Sequence, residues 1–231
     1  MSEVLSRATT TSSARRAKTI MIFAPKGGVG KTMMASNLLV AAARAGYKVA
    51  GLDFDGQRTF TRWGQKRLEN ASVRELIRNI DVRAAHIKDW RSELHLVRNY
   101  DIVLIDTPPG VDKYSQDYLQ EMGDKVDFVV MPTEVYPQSV ESVMDFMTLW
   151  EGPSHAAFVL NKIIPNRTIT GEAREMLQEC GEVWDGGIPM RDDLARIAGA
   201  GAAATDDERL LGHEPFMKLW KFCAGRIGVT A

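Results

Sequence analysis

The stretch Ala24-Pro25-Lys26-Gly27-Gly28-Val29-Gly30-Lys31-Thr32 constrains this chain more than any other feature. It lies between a short apolar run, Thr19 to Phe23, and an amphipathic segment, Lys31 to Ala45, that Gly46 stops. A glycine-rich turn joining a strand to a helix aims consecutive backbone N–H groups at one point, and the positive end of the helix adds to that field. Such a turn holds an anion. Glycines 27, 28 and 30 let the backbone approach phosphate oxygens without a Cβ in the way. Lys31 is placed to reach the β- and γ-phosphates of a nucleotide, and the Thr32 hydroxyl to coordinate Mg²⁺. Gly27 to Thr32, Val29 included, together with the N–H of Met33 at the α-phosphate, form the expected nucleotide cradle.

A strand that leads into a helix in this way belongs to a βαβ unit, and the rest of the chain repeats the alternation. Strands are expected at Lys48 to Leu52, Ile102 to Ile105, Phe128 to Met131 and Ala156 to Leu160, with an edge strand at Asp81 to Ile87. Several are nearly continuous aliphatic runs, as in strands covered on both faces. Helices are expected at Thr59 to Glu69, Lys88 to Arg98, Ser139 to Trp150, Gly171 to Glu179 and Glu214 to Arg226. The expected fold class is α/β, a mostly parallel twisted sheet flanked by helices. Residues 1–17, rich in Ser, Thr and Arg, read as a flexible tail; residues 18–231 read as one domain.

Two further carboxylate motifs follow the strands. Asp53 and Asp55 close the second strand, and two carboxylates facing a triphosphate make sense mainly with Mg²⁺ between them. Asp53 would serve the Mg²⁺ shell or hold the loop. The run Ile102-Val103-Leu104-Ile105-Asp106 ends in a carboxylate at the carboxyl edge of the sheet, where a metal-holding Asp is expected. Thr107-Pro108-Pro109-Gly110 then forms a restricted turn with a glycine pivot. Met131 to Glu134 ends a strand on the same rim.

Lys26, with Pro25 where a glycine is usual, makes the loop resemble the ParA/MinD family of deviant Walker A P-loop ATPases, whose hallmark is KGGxGK[ST]. The motifs from Thr19 onward keep that family's order and spacing, nearest in type to small ParA-like partition and positioning ATPases without an N-terminal DNA-binding domain. The resemblance implies ATP or ADP with Mg²⁺ as cofactors and a homodimer closed by ATP. Within it Lys26 reaches the partner subunit's nucleotide, Asp55 orients the attacking water, and Asn161 hydrogen-bonds adenine. Pro189 and Arg191 lie in the segment that closes over the base. In the motif that contains Asp53 and Asp55, Gly56 stands for the family's proline and Arg58 for its glycine.

Cys180 and Cys223 follow no nucleotide motif, which excludes a cluster-carrying relative, and two cysteines this far apart suit a reducing cytosol. With 29 basic and 30 acidic residues the net charge of −1 argues against a wholly basic surface and leaves room for a local patch. Phe216, Leu219, Trp220, Cys223 and Ile227 share one helical face, read as a last helix docked on the core. Lys218, Lys221 and Arg226, with Arg191 and Arg196, are the candidate DNA contacts. The implied function is a slow, partner-stimulated ATPase that binds DNA non-specifically and positions a plasmid, chromosome region or protein assembly, with a ParB-like or other cargo adaptor as partner. No membrane partner is expected, and the location is the cytoplasm, on the nucleoid of a bacterium or archaeon. The alternative is a MinD-like, membrane-associated positioning or division-site ATPase.

Overall fold

The computed structural model describes residues 16–74, 80–110, 113–150, 155–164 and 167–231. Most of the expected tail therefore lies outside the described residues. Its last two positions belong instead to the folded body: Arg16 pairs with Asp127 at 2.8 Å and Ala17 is buried.

Strands β1 (Lys18–Ile22), β2 (Val49–Asp53), β3 (Ile80–Ala84), β4 (Ile102–Asp106), β5 (Phe128–Glu134), β6 (Ala156–Ile163) and β7 (Glu182–Val183) form one parallel sheet in the order β3-β2-β4-β1-β5-β6-β7. A two-residue strand, β8 (Ile188–Pro189), also pairs with β6. The aliphatic runs are buried on both faces because alternate residues feed two separate cores. Ile20 and Ile22 of β1 join one core, while Met21 and Phe23 join the other. Ile102 and Leu104 of β4 divide from Val103 and Ile105 in the same way.

Helices α1 (Lys31–Arg44), α2 (Thr59–Glu69), α8 (Asp192–Gly199) and α9 (His213–Ile227) bring residues to the first core, and α4 (Trp90–Leu96), α5 (Lys113–Gly123), α6 (Pro137–Leu149) and α7 (Thr168–Gln178) to the second. A four-residue helix, α3 (Ala71–Arg74), follows α2. Phe216, Leu219, Trp220, Cys223 and Ile227 of α9 are all buried, so the last helix does dock on the core. The expected helix from Lys88 is shorter: a 3₁₀ turn at Ile87–Asp89 precedes α4. The helix expected from Ser139 begins at Pro137, where a missing N–H costs nothing in the first turn.

One buried ion pair joins distant parts of this layer. Arg67 of α2 donates from Nη1 and Nη2 to the two carboxylate oxygens of Asp206 at 2.8 and 2.6 Å, with side chains 3% and 4% exposed. Trp63 Nε1 also donates to Ala202 O at 3.0 Å. The segment beyond α8 is thereby fastened to α2, the helix that follows the Asp53–Asp55 motif.

Candidate nucleotide site

The register puts the site at the carboxyl edge of the sheet. Asp53 of β2 stands opposite Asp106 of β4, and Ile22, the last residue of β1, opposite Asp106 on its other side. β1 therefore releases the glycine-rich loop beside both carboxylates. Gly28 and Gly30 take φ of 78° and 93°, the left-handed region that glycine enters at little cost. At Gly30 an added Cβ would lie 2.3 Å from Asn161 Nδ2. The first turn of α1 leaves its N–H groups unpaired within the helix, Met33 among them.

Thr32 and Asp106 meet. The Thr32 hydroxyl donates to Asp106 Oδ2 at 2.6 Å, while Asp106 Oδ1 is buried with no hydrogen-bond partner among the described residues. Burial pushes the Asp106 carboxyl up to about 7, against the Thr32 hydrogen bond, with Asp53 adding to the rise. Lys31 is 7% exposed; burial lowers its pKa, and the charges of Asp106 and Asp55 oppose that. Two carboxylates, Asp106 and Asp55, thus act on one largely buried lysine. An orphaned carboxylate oxygen beside a hydroxyl suits a hard cation. Among the described residues no three His, Cys, Asp or Glu side chains form a metal cage. Thr32 and Asp106 fit Mg²⁺ that takes its other ligands from phosphate and water.

Asp53 is fully buried but spends its carboxylate locally. Oδ2 accepts from the N–H and hydroxyl of Thr61 at 2.8 and 2.9 Å, and Oδ1 from the N–H of Asp55 at 3.1 Å. Of its two expected roles these bonds serve holding the loop, while Oδ1, with its one bond, keeps a second lone pair. Asp55 is half-buried, and its Oδ1 accepts from Gln57 N–H at 2.8 Å.

Asn161 lies against the loop, and its Oδ1 is buried with no hydrogen-bond partner among the described residues. Its side chain is fully buried, and Nδ2 donates to Val29 O at 2.6 Å, so it braces the loop from beneath. Its neighbour Lys162, which the sequence reading did not single out, bonds Gly28 O at 2.8 Å and Glu134 at 2.5 Å, with φ of 55°. The two residues together clamp the loop to β6. Lys26 points to α6 and donates to Ser139 Oγ at 3.2 Å. Pro189 stands opposite Ile163 at the end of β6, and Arg191 pairs through two bonds of 2.9 Å with Asp193. A cavity of about 420 Å³ opens beside Thr32 and Met33, lined also by Arg62, Trp63, Lys66 and Ala198.

The candidate DNA residues are only partly gathered. Lys218 and Lys221 line a second cavity of about 480 Å³ with Trp184, Asp185 and Phe222, and Arg226 stacks on Phe222 at 5.1 Å. Arg226 also pairs with Glu182, and Lys218 with Glu214. Arg191 and Arg196 belong to the start and body of α8 and are not among that cavity's lining residues.

The family model for the CobQ/CobB/MinD/ParA nucleotide binding domain matches residues 20–203. The chain belongs to this family. A putative septum site-determining protein MinD of Mesostigma viride is 34% identical over 125 residues, which are 41% of this chain and 43% of that relative. The chain thus spans less than half the length of that relative in the match. The maintenance of carboxysome distribution protein A of Gloeobacter kilaueensis is 27% identical over 168 residues, 71% of this chain and 72% of the relative. Among solved structures, the MinD cell division protein of Aquifex aeolicus superposes with a TM-score of 0.70 at 22% identity, covering 90% of this chain and 98% of that one. That likeness establishes the fold: a parallel sheet flanked by helices, as the alternation of apolar runs led us to expect.

Proposed function

We propose that this protein is an ATPase that closes a homodimer around Mg²⁺-ATP and uses slow hydrolysis to position a cargo. The observation that carries the nucleotide part is the Thr32–Asp106 pair, with its unpartnered buried oxygen, beside Lys31 and a glycine loop. Mg²⁺ held there would neutralise charge that builds on the phosphoryl oxygens. Lys31 supports the β- and γ-phosphates, the loop N–H groups hold their oxygens, and Asp55 orients the attacking water. Lys26 carries the dimer dependence. Its ammonium rests on a neutral hydroxyl, Ser139 Oγ, with no carboxylate partner among the described residues, so it can turn to a second copy's phosphates without breaking an ion pair. A lysine supplied in trans acts as an arginine finger does and ties turnover to association.

For what the dimer acts on, we favour non-specific DNA with a cargo adaptor, in line with a relative named for carboxysome distribution. The apolar face of α9 is occupied by the core, so it is not free to enter a bilayer, and no described helix is long and apolar enough to cross one. The exposed Lys218 and Lys221 are the first candidates for phosphate contacts. Arg191, Arg196 and Arg226 are secondary, since the pairs that hold Arg191 and Arg226 are less exposed than the Lys218–Glu214 pair. The second reading is a membrane-associated positioning or division-site ATPase, in line with a relative named for septum-site determination. The test is binding to random duplex DNA and to anionic vesicles. On the DNA reading, affinity requires ATP and falls steeply with salt. Retention by vesicles but not by DNA would reverse the choice.

A further inference from the structure

The loop between β2 and α2 holds the residue expected to orient water, and there the chain carries an arginine where its family has glycine. Arg58 keeps the backbone a glycine would have, φ 54° and ψ 34°, in the left-handed region that side chains disfavour. Its guanidinium is turned inward. Nη1 donates to Asp53 O at 2.9 Å and to Ala85 O at 2.7 Å, which are carbonyls at the carboxyl ends of β2 and β3. These clipped ends carry the rest of the loop. The Asp53 carboxylate accepts the N–H of Asp55, the Asp55 carbonyl accepts the N–H of Arg58 at 2.9 Å, and Asp55 Oδ1 accepts the N–H of Gln57. One oxygen of Asp55 is thus fixed within the turn and the other is left for a water.

We propose that Arg58 is a positioning residue for hydrolysis: its guanidinium locks the ends of β2 and β3 so that the Asp55 carboxylate is oriented before nucleotide arrives. A glycine there would let the turn form but would not hold it. The inference rests on the ATPase reading above, and it applies to this chain because Arg58 stands where the motif it resembles has glycine.

Arg58→Gly separates the two effects, since glycine keeps the left-handed turn without strain and removes the guanidinium. Arg58→Lys retains one nitrogen, which is the number that bridges both carbonyls here. Three quantities are measured: the Kd of a fluorescent ATP analogue, kcat at saturating ATP, and amide exchange at residues 54–58. For Arg58→Gly we expect a Kd within about threefold of wild type and a kcat lower by about 10- to 100-fold, the cost of a displaced catalytic group. Amide exchange at Asp55, Gln57 and Arg58 or its replacement should quicken, and Arg58→Lys should recover part of the rate. Wild-type kcat or unchanged exchange in Arg58→Gly would overturn the inference. So would parallel losses of binding and kcat with lysine no better than glycine, which would make Arg58 an element of folding alone. A wild-type protein that binds no ATP, or never hydrolyses it, fails the ATPase reading first, a result distinct from any of these.

Discussion

Gly30→Ala probes the point where loop, helix and β6 converge. Gly30 sits at φ 93°, where an L side chain costs about 1–2 kcal/mol. The new Cβ would lie 2.3 Å from Asn161 Nδ2, well inside contact distance, so the amide must move. Moving it breaks the 2.6 Å bond to Val29 O and leaves a donor buried without a partner, at a further cost of about 1–3 kcal/mol. The total is about 2–5 kcal/mol, and even its lower end, if borne by the nucleotide-bound loop, weakens binding roughly 30-fold. The assay is titration with a fluorescent ATP analogue, with thermal unfolding recorded alongside to show how much of the cost falls on the free protein. Because the clash is with one side chain, Asn161→Ala in the Gly30→Ala background should restore part of the loss, a coupling of about 1 kcal/mol. Unchanged Kd and unfolding temperature in Gly30→Ala, or strict additivity of the two changes, would refute this account of the loop.

Two further outcomes follow from buried charge. Asp206→Ala leaves the Arg67 guanidinium buried without its carboxylate and should lower stability by about 3–5 kcal/mol, or roughly 6–20 °C in Tm, whereas replacing both partners with apolar residues should cost less. Calorimetry checks it. Asp106 has a folded pKa of about 7, above its ordinary 3.8, so its contribution to stability is fully present below 3.8 and is lost as pH rises through 7. Asp106→Asn, which mimics the neutral acid, should remove that loss. Without Mg²⁺ and nucleotide it should be the more stable protein at pH 8, by a margin on the order of a few kcal/mol, as read by denaturant unfolding.

The elements that sequence located well are those whose pattern is strong over their own length. β1, β4 and β5 are aliphatic runs, α2 and α9 have clear apolar faces, and the glycine loop sets the junction between β1 and α1. What escaped was short or decided at a distance. β7 and β8 have two residues each, too few for any period, and exist because β6 offers them an edge. α8 has eight residues, and α5 begins just after a Pro-Pro-Gly turn, which reads as loop. In the site, Thr32, Lys31 and Asp106 were legible because local motifs specify them. The bond from Asn161 to Val29 O was not: it depends on how β6 abuts the loop, which no spacing encodes. Nor was Lys162, although a lysine after a strand-ending Asn was in plain sight. Arg58 was visible as a departure, but its inward clip on Asp53 and Ala85 emerges only when β2 and β3 are side by side.

Mass measurement in solution with Mg²⁺-ATP, with Mg²⁺-ADP and with no nucleotide tests the central claim most directly, alongside the rate per molecule at rising protein concentration. A dimer is expected with ATP and a monomer in the other two states. The rate per molecule should rise with concentration, and Lys26→Ala should abolish both the dimer and the rise. One mass in all three states, with a concentration-independent rate that Lys26→Ala leaves intact, would contradict it.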